Sequence, residues 1–398
     1  MEEILYQNYI RLLDATETQY FRYLYKEIDW DNRLIGITGA RGTGKTTMIL
    51  QYIKINFTDR RKALYVSLDN IWFTKNSLLE LADKFHAFGG THLFIDEVHR
   101  YPNWFIEIKN IYDSYPALHI VFTGSSILEI YKSNADLSRR AISYHLLGLS
   151  FREFLNFETN IEFPVFKLEE IINDHQNVIS TVINRIKVLP EFKKYLEHGY
   201  YPFYKEGLKS YSIRLQNVVN TILENDLPAV EVIEYPTIIK IKKMLMIISS
   251  LVPFTPNMTS LSSDIETNRA STIKYLGYLQ KAGLIRMLSA QGNGMNLMNK
   301  PEKIYLDNTN LIHSLTTSNV NEGNVRETFF TNQCAANYKI SASKQGDFVI
   351  NGKYTFEVGG KNKTFAQIKN IENSFVVMDD IESGFGNKIP LWLFGFTY

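Results

Sequence analysis

Short apolar runs alternate with longer amphipathic stretches over the first third of the chain. The runs LIGITGA (34–40), ALYVSLD (63–69), HLFIDE (92–97), HIVFTGS (119–125) and AISYHLLG (141–148) are each brief and rich in β-branched or aromatic residues. Between them lie segments with apolar positions near a period of 3.6, such as NSLLELADKFHAF (76–88) and NWFIEIKNIYDSY (103–115). Strands of this length separated by helices predict an α/β fold with a parallel sheet covered on both faces. Residues 1–30, with Leu5, Tyr9, Leu12, Leu13, Tyr20, Leu24 and Ile28 at helical spacing, read as a helical lead-in.

The pattern changes near residue 150. Ser150 and Glu153 form a capping-box signature that opens a helical region. TNRASTIKYLGYLQKAGLIRML (267–288), followed by the turn-rich GNGMN and by EKIYLDN (302–308), reads helix, turn, helix, hairpin, which is a winged-helix pattern. Gly283 falls where the second of those helices ends and suits a residue with positive φ. Beyond residue 320 a helix, VRETFFTNQCAANYKI, precedes four strand-like runs, DFVI, KYTFEV, SFVVMD and LWLFGF. The expected division is 1–155, 156–315 and 316–398, the last a small α+β domain.

Composition narrows the function classes. Lys and Arg number 43 and Asp and Glu 42 in 398 residues, a net charge of +1 that excludes an extended polybasic or acidic chain. Cys334 is the single cysteine, so no intrachain disulfide forms and a reducing compartment is expected. MEEILYQNYI lacks the basic-then-apolar order of a signal peptide, and the apolar stretch at 244–254 is too short to span a bilayer. The expectation is a soluble, cytoplasmic protein with no membrane partner. The eight histidines show no zinc-ligand spacing.

The sharpest motif is Gly39-Ala40-Arg41-Gly42-Thr43-Gly44-Lys45-Thr46, which fits G-x-x-x-x-G-K-[ST] between a strand and a helix continuing through Thr47. Glycines let successive N–H groups turn inward onto phosphate oxygens, and the helix N-terminus adds its dipole. Lys45 is expected on the β and γ phosphates and Thr46 on Mg²⁺. The partner motif ends the strand HLFIDE: Asp96 belongs in the Mg²⁺ shell and Glu97 beside the γ-phosphate, where it polarises the attacking water. Ser125 or Thr123, at the tip of HIVFTGSS, is a candidate nucleotide sensor; the alternative is a plain strand exit. Arg139-Arg140 is a candidate for neutralising transition-state charge in cis or from a neighbouring subunit; the alternative is a solvated basic pair.

The runs GARGTGKTTMILQYI, LYVSLD, LFIDEVHRYPNW, HIVFTGSS, LSRRA and LLGLSFREFL together resemble the AAA-type domain of a bacterial and archaeal ATPase family. In that family a winged helix and a degenerate restriction-nuclease-like fold follow, and EHGYYPF, ENDLPAV, TIKYLGYLQKAGLI and KPEKIYLDN match the layout. The resemblance implies a P-loop NTPase with an extra central strand, sheet order 2-3-4-1-5, and ATP as the nucleotide. No N-K-x-D guanine motif is present. The family commonly has Gly-Arg where this chain has Arg139-Arg140, which makes Arg140 the better match.

Glu327, Asp347, Glu357 and Lys361 resemble a PD-(D/E)XK nuclease site, in which acids hold Mg²⁺ and a lysine positions water. That pattern wants E-x-K, whereas Lys361 comes four residues after Glu357 with a Gly-Gly pair between. An active metal nuclease and a nuclease-like fold without cleavage both remain open at this stage. Gln367, expected on a following helix, completes the look of that fold. Arg269, Lys274, Lys281 and Arg286 on the winged helix are candidate contacts to DNA; docking of a protein is the other reading. The sequence therefore reads as an ATP-binding, Mg-dependent ATPase acting as a switch or remodeller on a macromolecular partner, able to oligomerise. An ATP-regulated nuclease and a non-hydrolysing nucleotide-binding module are the alternatives.

Overall fold

All five N-terminal runs form strands of one sheet. In the computed structural model, which describes residues 3–124, 137, 139–251, 255–290, 301–316 and 319–398, α1 (Glu3–Ala15) and α2 (Leu24–Glu27) precede β1 (Leu34–Thr38). Then come α3 (Lys45–Asn56), β2 (Ala63–Ser67), α4 (Leu78–Ala87), β3 (His92–Asp96), α5 (Trp104–Ser114), β4 (His119–Gly124) and β5 (Ile142–His145). The strand order is β2-β3-β4-β1-β5, all parallel, as the resemblance implied. This is the sheet of a P-loop NTPase fold. Both faces are covered, so its central strands carry unbroken apolar runs: Leu34, Ile35, Ile37, Leu93, Phe94, Ile95 and Ile120 are at most 1% exposed. Each such side chain contributes roughly 1.5–3 kcal/mol relative to exposure.

Because β4 lies between β1 and β3, the C-terminal ends of these three strands meet at one edge. This places the loop after β1, the acidic pair after β3 and Thr123 on β4 side by side. The unit holding this sheet comprises Met1–Leu147 together with a later segment, Asn220–Ile233.

The second unit comprises Gly148–Val219 and Glu234–Tyr398. Its first helix, Phe151–Thr159, opens on the expected capping box: Ser150 Oγ accepts from Glu153 N at 3.1 Å, and Glu153 Oε2 accepts from Ser150 N at 3.3 Å. Helices Met258–Asp264 and Arg269–Lys281 precede an antiparallel pair, β6 (Ile285–Leu288) and β7 (Lys303–Leu306). The stretch 267–288, expected to hold two helices, holds one helix and then β6; the partner helix lies before it, where Asn257 caps Met258–Asp264. Gly283 has φ 71°, and Leu284 N–H closes back on Leu279 O at 3.0 Å, which stops the helix. A mixed sheet follows in the order β12-β11-β10-β9-β8: β8 (Ile340–Ala342), β9 (Phe348–Ile350), β10 (Tyr354–Gly359), β11 (Ser374–Met378) and β12 (Lys388–Pro390). β8, β9 and β10 pair antiparallel, and β10, β11 and β12 parallel.

One expected strand is absent. LWLFGF (Leu391–Phe396) is a 3₁₀ helix with all six residues buried, and the strand is the preceding Lys388–Pro390. A short unbroken apolar run does not distinguish strand from buried helix by period. Here the aromatics decide, because Phe396 packs against Phe151, Phe163 and Trp392. Cys334 is fully buried on its helix, and burial pushes its thiol up, as befits a packing residue.

His92 and His119 face each other across β3 and β4 with rings 4.6 Å apart. Burial, and secondarily the neighbouring His119, lower the His92 pKa to about 4. The unfolded chain therefore takes up this proton first as pH falls, so the stability contributed by neutral His92 is full above about pH 6.5 and drains away towards pH 4. His92→Phe is expected to flatten that part of the thermal-melting profile against pH; an unchanged profile would place the acid sensitivity elsewhere.

Candidate active site

The loop between β1 and α3 folds as its glycines require. Gly42 has φ 84° and Gly44 φ 94°, the left-handed region that a side chain disfavours, and α3 starts at Lys45 immediately after. Thr43 is buried and donates to Ala40 O at 2.9 Å. Lys45 Nζ is satisfied by the carbonyls of Gly39 (2.8 Å) and Ala40 (2.9 Å) within the loop. Burial pulls its ammonium below the ordinary lysine value, against the opposing charges of Glu97 and Asp96. Arg41, Gly42, Gly44 and Thr46 are half-buried along the loop, and Thr47 is exposed.

Asp96 is 2% exposed and collects hydrogen bonds from several elements. Its Oδ2 accepts from Thr46 Oγ1 at 2.6 Å and from the Tyr65 hydroxyl at 2.8 Å; its Oδ1 accepts from Glu97 N at 3.0 Å and from Thr123 Oγ1. Thr123 is thus joined to the acidic pair. Ser125 lies outside the described residues. Glu97 has φ 53° and ψ 41°, the left-handed region, which costs a residue with a Cβ roughly 1–2 kcal/mol. The fold holds the Glu97 carboxylate in place at that expense.

Arg140 is not brought to this edge. It precedes β5, at the end of the sheet opposite the phosphate loop, and its guanidinium pairs with Asp113 at 3.0 and 3.1 Å. This placement takes it away from the loop of its own chain.

Thr46 and Asp96 supply only oxygen donors, the hard set magnesium takes, and Mg²⁺ typically completes its shell with water and substrate phosphates. Among the described residues no group of three or more His, Cys, Asp or Glu is placed to hold a metal by itself. Two oxygen donors beside a phosphate loop therefore fit a nucleotide-borne Mg²⁺.

Sequence reasoning missed several members of this site. Arg22, in the lead-in before β1, is 5% exposed and donates to Thr43 O and to Leu147 O (2.8 Å). It braces the loop backbone from behind. Tyr65 on β2, His99 and Arg100 after Glu97, and Asp226 were given no role either; His99, Arg100 and Asp226 lie in the runs LFIDEVHRYPNW and ENDLPAV, but nothing local to those runs shows that they meet. Residues 31–155 match the family model for an AAA domain. That match and the geometry together support a nucleotide-binding ATPase domain.

Residues 189–322 match a second model, described as a domain of unknown function. An uncharacterized protein of Methanocaldococcus jannaschii is 28% identical over 297 residues, covering 70% of this chain. The chain spans 62% of that relative's length. Among solved structures, AMPPCP-bound DnaA from Aquifex aeolicus aligns at a TM-score of 0.27 with 14% identity, over 70% of this chain and 88% of that one. PCH-2 from C. elegans aligns at 0.26 with 20% identity, over 46% and 55%. Nothing further rests on likeness at that level.

In the second unit Glu327, Asp347 and Glu357 come near one another, but with lysines among them. Lys303 Nζ lies 3.4 Å from both Glu327 Oε2 and Asp347 Oδ1, and Tyr305 donates to Glu327 Oε2 at 2.6 Å. The lysine on Glu357 is Lys363, at 2.5 Å, and not Lys361, which is exposed. The chain turns after β10, with Lys363 N–H on Gly360 O at 2.9 Å, and the stem of Lys363 crosses Gly359 so closely that a Cβ there would sit 2.7 Å from it. Gln367 lies exposed in turns, with no helix there. Burial, followed by the Asp347 charge, raises the Glu327 pKa; burial likewise raises that of Glu357 despite Lys363. Of the basic residues on the helix–hairpin segment, Arg269 and Lys274 are exposed, Lys281 is half-buried, and Arg286 is engaged with Asp307 at 2.8 Å.

Two measurements follow from these contacts. Arg22→Leu is expected to weaken binding of a fluorescent ATP analogue about tenfold, the equivalent of ~1.4 kcal/mol, and unchanged affinity would show that the brace is dispensable. Lys363→Ala strands a buried carboxylate and is expected to cost about 1–3 kcal/mol in denaturant unfolding, with Lys361→Ala within about 0.5. Equal effects of the two would refute the pairing.

Proposed function

We propose that the protein binds ATP with Mg²⁺, hydrolyses it to ADP and phosphate, and uses the cycle as a switch or remodeller of a macromolecular partner. The Thr46–Asp96 hydrogen bond, beside Glu97 at the mouth of a glycine-built loop, carries this reading. Loop amides 40–46 and Lys45 would take the phosphates, with the Lys45 ammonium exchanging its loop carbonyls for phosphate oxygens. Thr46 and Asp96 would hold Mg²⁺, which offsets charge on the transferring phosphoryl group. Glu97 would take a proton from the attacking water, and Thr123 would fix the acidic pair in register with β4. Arg140, placed at the far edge of the sheet, would serve only in a neighbouring subunit's site. The three-part division at residues 155 and 315, the winged-helix reading of 265–310 and contact with DNA through Arg269 and Lys274 belong to the same proposal.

A second reading, an ATP-regulated nuclease, draws on the convergence of Glu327, Asp347 and Glu357 with Lys363. Lys303 neutralises two of the three acids, however, and this favours a nuclease-like fold without cleavage. The decisive experiment is steady-state ATP turnover with Mg²⁺. Glu97→Gln is expected to lower kcat about 100-fold or more while retaining ATP binding, and Lys45→Ala to lose binding. Turnover in Glu97→Gln equal to wild type would remove the general-base assignment. Tight binding with no turnover in the wild type would favour the non-hydrolysing module.

A further inference from the structure

His99 and Arg100 lie in the 3₁₀ turn that directly follows Glu97. The His99 side chain is completely buried, and its Nε2 faces two carboxylates: Glu97 Oε2 at 3.3 Å and Asp226 Oδ1 at 3.5 Å. Both partners are acceptors, so Nε2 carries the proton, and one N–H serves only one of them well at a time. Asp226 is 1% exposed and meets Arg100 at 2.7 Å and Arg41, inside the phosphate loop, at 3.5 Å. Burial acts to raise its pKa, but His99, Arg41 and Arg100 outweigh it and hold the carboxyl below its usual range.

Asp226 arrives on an unusual element. Residues Ile222–Asp226 form a π turn, closed by Leu227 N–H on Ile222 O. Pro228 follows and has no N–H to give the carbonyl four residues back, so the wider turn replaces a regular one. The segment 220–233 belongs to the sheet unit, while the chain on either side of it belongs to the other unit.

We propose that Glu97 and Asp226 compete for the single Nε2–H of His99, so that Asp226 sets where Glu97 stands and segment 220–233 moves when nucleotide draws Glu97 away. Asp226 is a positioning residue acting through His99, in contact with the phosphate loop through Arg41. This rests on the ATPase reading for its effect on turnover, but its effect on the segment requires only that nucleotide binds.

The test uses the full chain with two readouts. In the first, Asp226→Asn is expected to lower kcat tenfold or more with KM for ATP within about threefold, and Asp226→Asn added to His99→Gln is expected to cause no further loss. In the second, amide hydrogen exchange across residues 220–233 is followed on adding MgATP: the wild type changes several-fold there, whereas Asp226→Asn, still binding a fluorescent ATP analogue, does not. His99→Gln interrupts the same link at its middle and substitutes if Asp226→Asn melts early. Exchange that responds without measurable turnover upholds the coupling and sinks the ATPase reading. Turnover with an unresponsive segment, or Asp226→Asn at wild-type kcat, overturns the coupling. Failure to bind ATP overturns both.

Discussion

One carboxylate organises the nucleotide-binding edge. Asp96 ends β3 with almost no solvent exposure, and a buried charge of that kind persists only if its lone pairs are filled. They are filled by the hydroxyls of Thr46, Tyr65 and Thr123 and the amide of Glu97, drawn from the first turn of α3, from β2, from β4 and from the residue that follows β3. The strand order makes this convergence possible, since β4 inserts between β1 and β3 and brings Thr123 within reach. Satisfying Asp96 thus fixes the relative positions of the start of α3 and of Glu97.

The same edge stores local strain. Glu97 sits in left-handed backbone, and Gly42 and Gly44 do so at less expense. Around them the contacts run to carbonyls and carboxylates: Lys45 to its own loop, Arg22 to Thr43 and Leu147, Arg100 and Arg41 to Asp226. The cations of this edge are thus already engaged with partners inside the protein.

The sheet was legible because its signal is local and repeated: five short apolar runs at helical separations, and a phosphate loop whose spacing is dictated by backbone geometry. The acidic pair was legible because it follows a strand. The role of Asp226 was not, since ENDLPAV matches the family layout without pointing to a partner, and those partners lie more than a hundred residues earlier in the chain. Lys361 already departed from the E-x-K spacing; the backbone turns after Gly359-Gly360 and brings Lys363 to Glu357 instead, which the strand pattern does not reveal. LWLFGF failed for a different reason: six apolar residues in a row have no period to read, and aromatic packing settled the matter.

Segment 220–233 has a consequence for biosynthesis. The sheet unit is not contiguous in the chain, and a polypeptide emerging from the ribosome completes all five strands some eighty residues before Asp226 is made. Until then Arg41, His99 and Arg100 lack the carboxylate that gathers them. The nascent protein therefore passes through an interval in which the phosphate loop exists without its distant counter-charge, and the site becomes whole only after much of the following helical region has been synthesised.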